Sequence, residues 1–150
     1  MQRYLTLLPF LGAVLAVAST GALFRPGPWY DSLRKPSWTP PGWLFGPAWA
    51  LLYVLIAFAG WIVWRADGFG LPLAVWIVQL LVNGSWSWVM FGLRRIGAAM
   101  AVLCLLWLAI ITFMALAWPL STDASLLFAP YLAWVTFAGA LNFAVWRLNP

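Results

Sequence analysis

The sequence contains no histidine, a single cysteine and very few charged side chains. Without histidine the chain lacks the usual acid–base residue and the usual ligand of haem or metal ions, so we expect no metal site. Cys104 has no partner for a disulfide within the chain. Charged residues make up 7% of the chain, against about 25% in soluble domains. Together with a mean hydropathy of +0.94, this scarcity predicts an integral membrane protein.

The formal net charge of +5 does not indicate a nucleic-acid-binding protein. The basic residues are scattered between apolar segments and form no basic face or run, so we expect no nucleic-acid partner. No Asp, Glu, Lys or Arg falls well inside an apolar segment. Ion pumps and ion-coupled carriers need such residues at membrane depth, and so does acid–base catalysis there. The charge pattern therefore argues against all three activities.

Five apolar segments are separated by polar or helix-breaking residues: 4–24, 43–64, 71–92, 97–118 and 124–146. Each is close to the ~20 residues that a helix needs to cross a bilayer, and none alternates like a barrel strand. The predicted fold is all-α, a single domain (1–150) of five transmembrane helices with a long ordered loop over 25–42. Met1–Ser19 also resembles a signal peptide, with Ala16-Val17-Ala18 as a cleavage-like site. We interpret this segment as the first span.

The distribution of lysine and arginine predicts how the chain is oriented in the membrane. Arg3 and Arg65 fall on one side of the predicted bundle. The other side holds six basic residues: Arg25, Arg34, Lys35, Arg94, Arg95 and Arg147. Because positive residues stay on the cytoplasmic side, we expect a multi-pass protein with its N-terminus outside. The C-terminus and loop 25–42 would then lie inside.

The segment PWYDSLRKPSWTPPGW, residues 28–43, is rich in proline and tryptophan. Proline stiffens the backbone, and an ordered loop of this length is usually functional. A stiff aromatic segment at the mouth of a helical bundle suits a lid. Arg25, Arg34 and Lys35 would stand at its rim, where charge-assisted hydrogen bonds to carboxylates are strong.

Several aromatic, polar and small side chains of the predicted helices share one level in the membrane. With a rise of 1.5 Å per residue, they lie about 9 to 18 Å below the loop side. They are Trp49, Trp86, Ala138, Asn83, Tyr53 and Trp134. Tryptophans that only anchor a helix would lie nearer the interface. The pattern therefore predicts a pocket for a flat apolar guest, and the cationic rim suits acidic arms on that guest. Porphyrins fit this description.

Two further patterns each allow two interpretations. Gln79, Asn83 and Ser87 share one face of the third helix, which favours either hydrogen bonds between helices or the wall of a pocket. Gly12-x-x-x-Ala16, extended by Ser19, forms a stripe of small residues on the first helix. Such a stripe is typical of close helix packing, either within the bundle or between two copies of the chain.

The sequence resembles the TspO family, which comprises bacterial tryptophan-rich sensory proteins and the mitochondrial translocator protein, also called the peripheral benzodiazepine receptor. The resemblance covers essentially the whole chain. It rests on three groups of residues: Pro28-Trp29-Tyr30 to Trp49-x-x-x-Tyr53, then Gln79-x-x-x-Asn83-x-x-Trp86-Ser87, and Pro130-Tyr131-Leu132-x-Trp134 with Leu141-Asn142. It implies a five-helix bundle, usually a homodimer, whose pocket opens toward the first loop and binds porphyrins and drug-like ligands. The candidate ligand-binding residues are Tyr30, Trp38, Trp49, Tyr53, Asn83, Trp86, Trp134 and Ala138.

The resemblance leaves three functions open. The first is a membrane-embedded receptor for porphyrins such as protoporphyrin IX, which serves tetrapyrrole regulation or the sensing of stress, oxygen or light. The second is light-dependent breakdown of porphyrin, with Trp49 and Trp134 as the candidate catalytic residues. The third is passive transport of porphyrin or sterol. None requires a cofactor. Animal relatives bind cholesterol through a motif with a central tyrosine, whereas Phe143 stands at that position here, so we do not expect sterol recognition through it.

Overall fold

The computed structural model describes residues 1–150 and contains helices, turns and loops. Eight α-helices follow one another: α1 Gln2–Leu5, α2 Leu8–Leu23, α3 Pro28–Asp31, α4 Phe45–Asp67, α5 Leu71–Ser87, α6 Ile96–Ala117, α7 Thr122–Leu127 and α8 Ala129–Leu148. A 3-10 turn over Gly42–Leu44 leads into α4, and a π-helical turn over Trp88–Gly92 extends α5.

Five helical stretches are long and apolar enough to cross a membrane. Their bounds are Gln2–Leu23, Gly42–Asp67, Leu71–Gly92, Ile96–Ala117 and Thr122–Leu148. This result confirms the predicted all-α bundle of five membrane-spanning helices. The largest difference in a boundary is at the end of the second span, which was predicted at residue 64 and ends at Asp67. Arg65 and Asp67 lie in the last turn of α4, where exposed charged side chains are tolerated next to water.

Proline and glycine mark several of the helix ends. Pro72 and Pro130 lie in the first turns of α5 and α8, where the missing N–H has no intrahelical partner to lose. Helix α4 is followed by Gly68, which has a φ of 64° and donates its N–H to Trp64 O at 2.7 Å. A left-handed residue just after a helix is easiest for glycine. Helix α7 begins at Ser121, whose hydroxyl accepts the N–H of Ala124 at 3.2 Å.

The five spans are arranged as a ring. Helix α2 packs against α4 and α5, α6 packs against α5 and α8, and α8 with α7 closes the ring against α4. Loop 25–42 and the turn between α5 and α6 lie at one end of the bundle, together with the C-terminus. Contacts show this arrangement: Asn149 bonds to Arg34, and Arg94 lies over the Trp29 ring at 6.0 Å.

The core is divided unequally along the membrane normal. A cluster of 21 buried residues fills the half of the bundle away from the loop, with all five spans contributing. Glycine permits one close approach there, because a Cβ on Gly60 would overlap the Trp76 indole. A second cluster of 6 buried residues lies at the loop end: Val89, Met90, Ile96, Ala99, Leu141 and Val145.

Loop 25–42, called the lid below, is folded rather than extended. It contains α3 and a turn in which Thr39 bonds through its N–H and its hydroxyl to Pro36 O, at 3.1 and 2.7 Å. Trp29, Tyr30 and Leu33 pack against the smaller core cluster. The lid therefore covers the loop end of α5, α6 and α8.

Candidate ligand-binding site

A cavity of about 700 Å³ lies in the half of the bundle next to the lid. Its volume falls in the range of pockets that hold drug-sized ligands. Helices α2, α4, α5, α6 and α8 and the lid all contribute to its wall, which is mainly apolar. The space exists because the large buried side chains of the bundle are concentrated in the other half.

The deepest polar side chains of the cavity wall belong to a chain of hydrogen bonds. Tyr53 OH donates to Asn83 Oδ1 at 3.0 Å, and both residues line the cavity. Asn83 Nδ2 donates to Tyr131 OH at 2.6 Å, and Tyr131 OH donates to Gln79 Oε1 at 2.9 Å. Tyr131 and Gln79 are fully buried, and Gln79 Nε2 has no partner. The chain thus runs from the cavity into the densely packed half.

Aromatic rings form one side of the cavity. The Trp49 indole is stacked on Tyr53, with ring centroids 5.5 Å apart and planes at 29°. Trp86 donates its indole N–H to Asn142 Oδ1 at 3.3 Å and contacts Phe91 edge to face at 5.4 Å. These contacts hold flat apolar surfaces in fixed orientations, as a planar guest would require.

Small residues also line the cavity. Ala18 and Ala22 on α2 line the cavity, as do Gly46 and Ala50 on α4. A Cβ added to Gly46 would meet no atom within 4 Å. The two helices therefore leave open space between them at this level.

The mouth of the cavity carries charge. Asp31, Lys35 and Tyr30 of the lid line it. The Lys35 ammonium lies 4.6 Å from the centre of the Tyr30 ring and donates to Leu33 O at 3.3 Å and to Asp31 O at 3.4 Å. Burial, and secondarily the negative charge of Asp31, raise the pKa of Tyr30 above its usual value. Tyr30 is therefore neutral at physiological pH.

The structure brings most of the predicted site residues together around the cavity. Those that line it are Tyr30, Lys35, Trp49, Tyr53, Asn83, Trp86 and Ala138. Four others lie elsewhere: Arg25, Arg34, Trp38 and Trp134.

Trp134 and Trp38 do not line the cavity. Trp134 lies behind Trp49, edge to face at 6.4 Å, and lines a separate outer groove of about 510 Å³ between α4 and α8. Its indole nitrogen is buried and has no partner. Trp38 is 48% exposed and packs edge to face on Phe137 at 5.8 Å. Of the two, only Trp134 contacts a ring of the cavity wall, that of Trp49.

Arg25 and Arg34 differ from Lys35 because the backbone of the lid directs them away from the cavity. Arg25 turns back and donates its Nε–H to Ala22 O at 2.8 Å. Arg34 is exposed, and its backbone rather than its guanidinium contacts the bundle. Lys35 is thus the one basic residue in the cavity wall.

Several residues of the site were not among the predicted site residues. The i, i+4 pair Ala18 and Ala22 could have been found from its helical spacing, because small residues on one face leave room beside a helix. Tyr131 and Asn142 lie within the quoted motifs, but sequence alone does not show their partners on other helices. Asn149 follows the last span, and nothing in the sequence links it to residues 115 positions earlier.

Comparison with known proteins gives one consistent result. The sequence model of the TspO/MBR family matches residues 6–147. Protein CrtK of Rhodobacter capsulatus is 48% identical over 145 residues, covering 92% of this chain and 89% of the relative. The tryptophan-rich sensory protein of Cereibacter sphaeroides is 45% identical over 142 residues, which cover 95% of this chain and 90% of the relative. The translocator protein of Bos taurus is 40% identical over 151 residues, which cover 96% of this chain and 87% of the relative.

Proposed function

The chain belongs to the TspO/MBR family, and from this premise we propose that it is a membrane-embedded receptor for porphyrins such as protoporphyrin IX. Two of the relatives are named tryptophan-rich sensory protein and translocator protein. The proposed role is to bind a tetrapyrrole from the membrane and to serve tetrapyrrole regulation or the sensing of stress, oxygen or light. We place the lid and the C-terminus on the cytoplasmic side and expect a homodimer.

One observation carries the proposal: an apolar cavity at membrane depth has an aromatic wall and a single cation at its mouth. Trp49 and Trp86 offer indole surfaces on which a macrocycle can stack. The acidic arms of a porphyrin would then reach the mouth, where Lys35 lies. Asp31 also lines the mouth, so the ammonium must offset a nearby negative charge.

The test is to titrate protoporphyrin IX and its dimethyl ester into the protein in lipid nanodiscs and to follow tryptophan quenching. We expect Trp49→Phe to weaken binding of both guests about tenfold, because an indole face is lost from the wall. Trp118→Phe is the matched control, because Trp118 is 55% exposed and does not line the cavity. Unchanged affinity in Trp49→Phe would contradict the proposed pocket.

Lys35→Met should weaken binding of the free acid and leave the ester unaffected. Arg34→Met removes the same charge from the adjacent residue, which does not line the cavity. Equal effects of Lys35→Met on acid and ester, or equal effects of both variants on the acid, would contradict a carboxylate contact at the mouth.

Light-dependent breakdown of the bound porphyrin by dioxygen is the second candidate function. The close pair of Trp49 and Trp134 favours it, since one indole lines the cavity and a second lies directly behind it. Illuminated protein should then consume many equivalents of porphyrin, while protein kept in the dark consumes none. Loss of no more than one equivalent per chain, or equal loss with free tryptophan, would leave binding as the function.

A further inference from the structure

Away from its two ends, the lid is joined to the bundle by hydrogen bonds from a single side chain. Asn149 Oδ1 accepts the backbone N–H of Arg34 at 3.0 Å, and Asn149 Nδ2 donates to Arg34 O at 2.9 Å. At the ends of the lid, Arg25 bonds to Ala22 in the preceding helix, and Pro41 O and Gly42 O accept the N–H groups of Leu44 and Phe45. The hydrogen bonds of the remaining lid residues stay within the lid. Aromatic and apolar contacts make up the rest of the attachment.

The Asn149 side chain is itself held in place. Its Nδ2 also donates to Val145 O at 2.8 Å, one turn earlier on α8. The amide therefore uses its oxygen once and its nitrogen twice, which is the full donor capacity of an Asn side chain. It pairs with both backbone groups of Arg34 as a neighbouring strand would. Aspartate would lose both donors, and alanine would lose all three bonds.

The latched residue adjoins the part of the lid that faces the cavity. Lys35 follows Arg34 directly, and Tyr30 and Asp31 lie one turn before it; all three line the cavity. Arg34 lines neither the cavity nor the outer groove, so the latch acts on the backbone of the lid and leaves the guest untouched.

We infer that Asn149 is a positioning residue that latches the lid over the cavity and thereby sets how fast guests enter and leave. The inference rests on the proposed function in one respect, because a rate of exchange requires a guest in the cavity. The latch itself is a property of the lid and can be measured without a guest. A hydrogen-bonded latch of this kind slows both directions of exchange and changes affinity little, because the bonds do not touch the guest.

The first measurement is hydrogen–deuterium exchange of the full chain in nanodiscs, without guest. Asn149→Ala should increase exchange of the lid peptide about tenfold, since its ties to the bundle are lost. Asn149→Asp, which keeps the size of the side chain, should do the same. Ser32→Ala is the matched control, because it removes a hydrogen bond inside the lid, to Trp29 O, and leaves the latch intact. Unchanged exchange in Asn149→Ala would overturn the latch.

The second measurement is stopped-flow binding and release of protoporphyrin IX. Asn149→Ala and Asn149→Asp should speed both steps about fivefold to tenfold, with the Kd changed less than about twofold. Ser32→Ala should leave both rates as in the wild type. Faster lid exchange with unchanged guest rates would overturn the gating role. If the wild-type protein binds no protoporphyrin IX, the proposed function fails, while the exchange measurement still decides whether Asn149 holds the lid.

Discussion

The two halves of the bundle are built from similar apolar helices but are packed in opposite ways. Away from the lid, 21 buried residues form one continuous core. Next to the lid the helices enclose a cavity of about 700 Å³, and only 6 residues form a core cluster. On α2 no residue beyond Val14 is buried, and on α4 no residue before Leu52 is. Similar hydropathy in the two halves therefore does not give similar packing.

Tryptophan has a different role in each half. In the filled half the indole N–H of Trp76 donates to Ile56 O and that of Trp61 donates to Thr6 Oγ1, both at 2.9 Å. These rings are buried and act as packing units. In the hollow half Trp49 and Trp86 line the cavity. The same residue type thus stabilises one half and lines an open site in the other.

The largest expected effect comes from the same substitution at two glycines of α4. A side chain at Gly60 would overlap the Trp76 indole, whereas one at Gly46 would enter open space beside the cavity. We expect Gly60→Leu to lower the free energy of unfolding by about 3 kcal/mol through overpacking. Gly46→Leu should change it by less than about 0.5 kcal/mol. Detergent-induced unfolding followed by circular dichroism measures both.

Porphyrin binding should respond in the reverse order. Gly46→Leu reduces the volume of the cavity and should weaken binding, while the folded fraction of Gly60→Leu should bind normally. Equal losses of stability at the two positions would show that the two halves are packed alike, and would contradict the distinction between a filled and a hollow half.

The boundary between the halves supplies a smaller effect. Asn83 joins Tyr53, on the cavity side, to Tyr131, on the filled side. Asn83→Leu breaks both bonds and should cost about 1.5 kcal/mol of stability, whereas Tyr53→Phe breaks one and should cost about 0.6 kcal/mol. Detergent-induced unfolding followed by circular dichroism measures the stability of both variants. If Tyr53→Phe proved as costly as Asn83→Leu, the filled half would not depend on the second bond.

Five apolar runs of membrane-spanning length predicted the bundle, because length and hydropathy alone decide whether a helix can cross a bilayer. The depth of a side chain in the membrane could also be predicted from the sequence, since the rise per residue places Trp49 and Asn83 at one level. Which side chains of a helix face reach the cavity was not accessible, because that depends on the neighbouring helices. Trp134 and Ala138 share one face of α8, one turn apart, yet only Ala138 lines the cavity, while the Trp49 ring of α4 lies against Trp134. The irregular backbone of the lid likewise hides the difference between Arg34 and Lys35.

The smallest expected effect concerns the lid at alkaline pH. Burial, together with the charge of Asp31, raises the pKa of Tyr30 above 10.0 in the folded lid. Between pH 10 and that raised pKa, the phenol of an open lid loses its proton while that of a docked lid keeps it. The contribution of this phenol to holding the lid on the bundle is therefore fully present below pH 10. It is lost as pH rises through this window, where the ratio of closed to open lid falls by no more than about tenfold per pH unit. Release of bound protoporphyrin IX should accelerate accordingly.

Tyr30→Phe isolates the contribution of this phenol. It should leave release at pH 7 to 9 close to wild type and remove the additional acceleration above pH 10. The Lys35 ammonium lies over the same ring, so the comparison is made both with Lys35 and in a Lys35→Met background. A further measurement uses protoporphyrin IX dimethyl ester as the guest, which cannot form a carboxylate contact with Lys35. An identical alkaline profile for wild type and Tyr30→Phe in both backgrounds would show that ionisation of Tyr30 does not open the lid, and that the lid is held mainly by its apolar contacts and by Asn149.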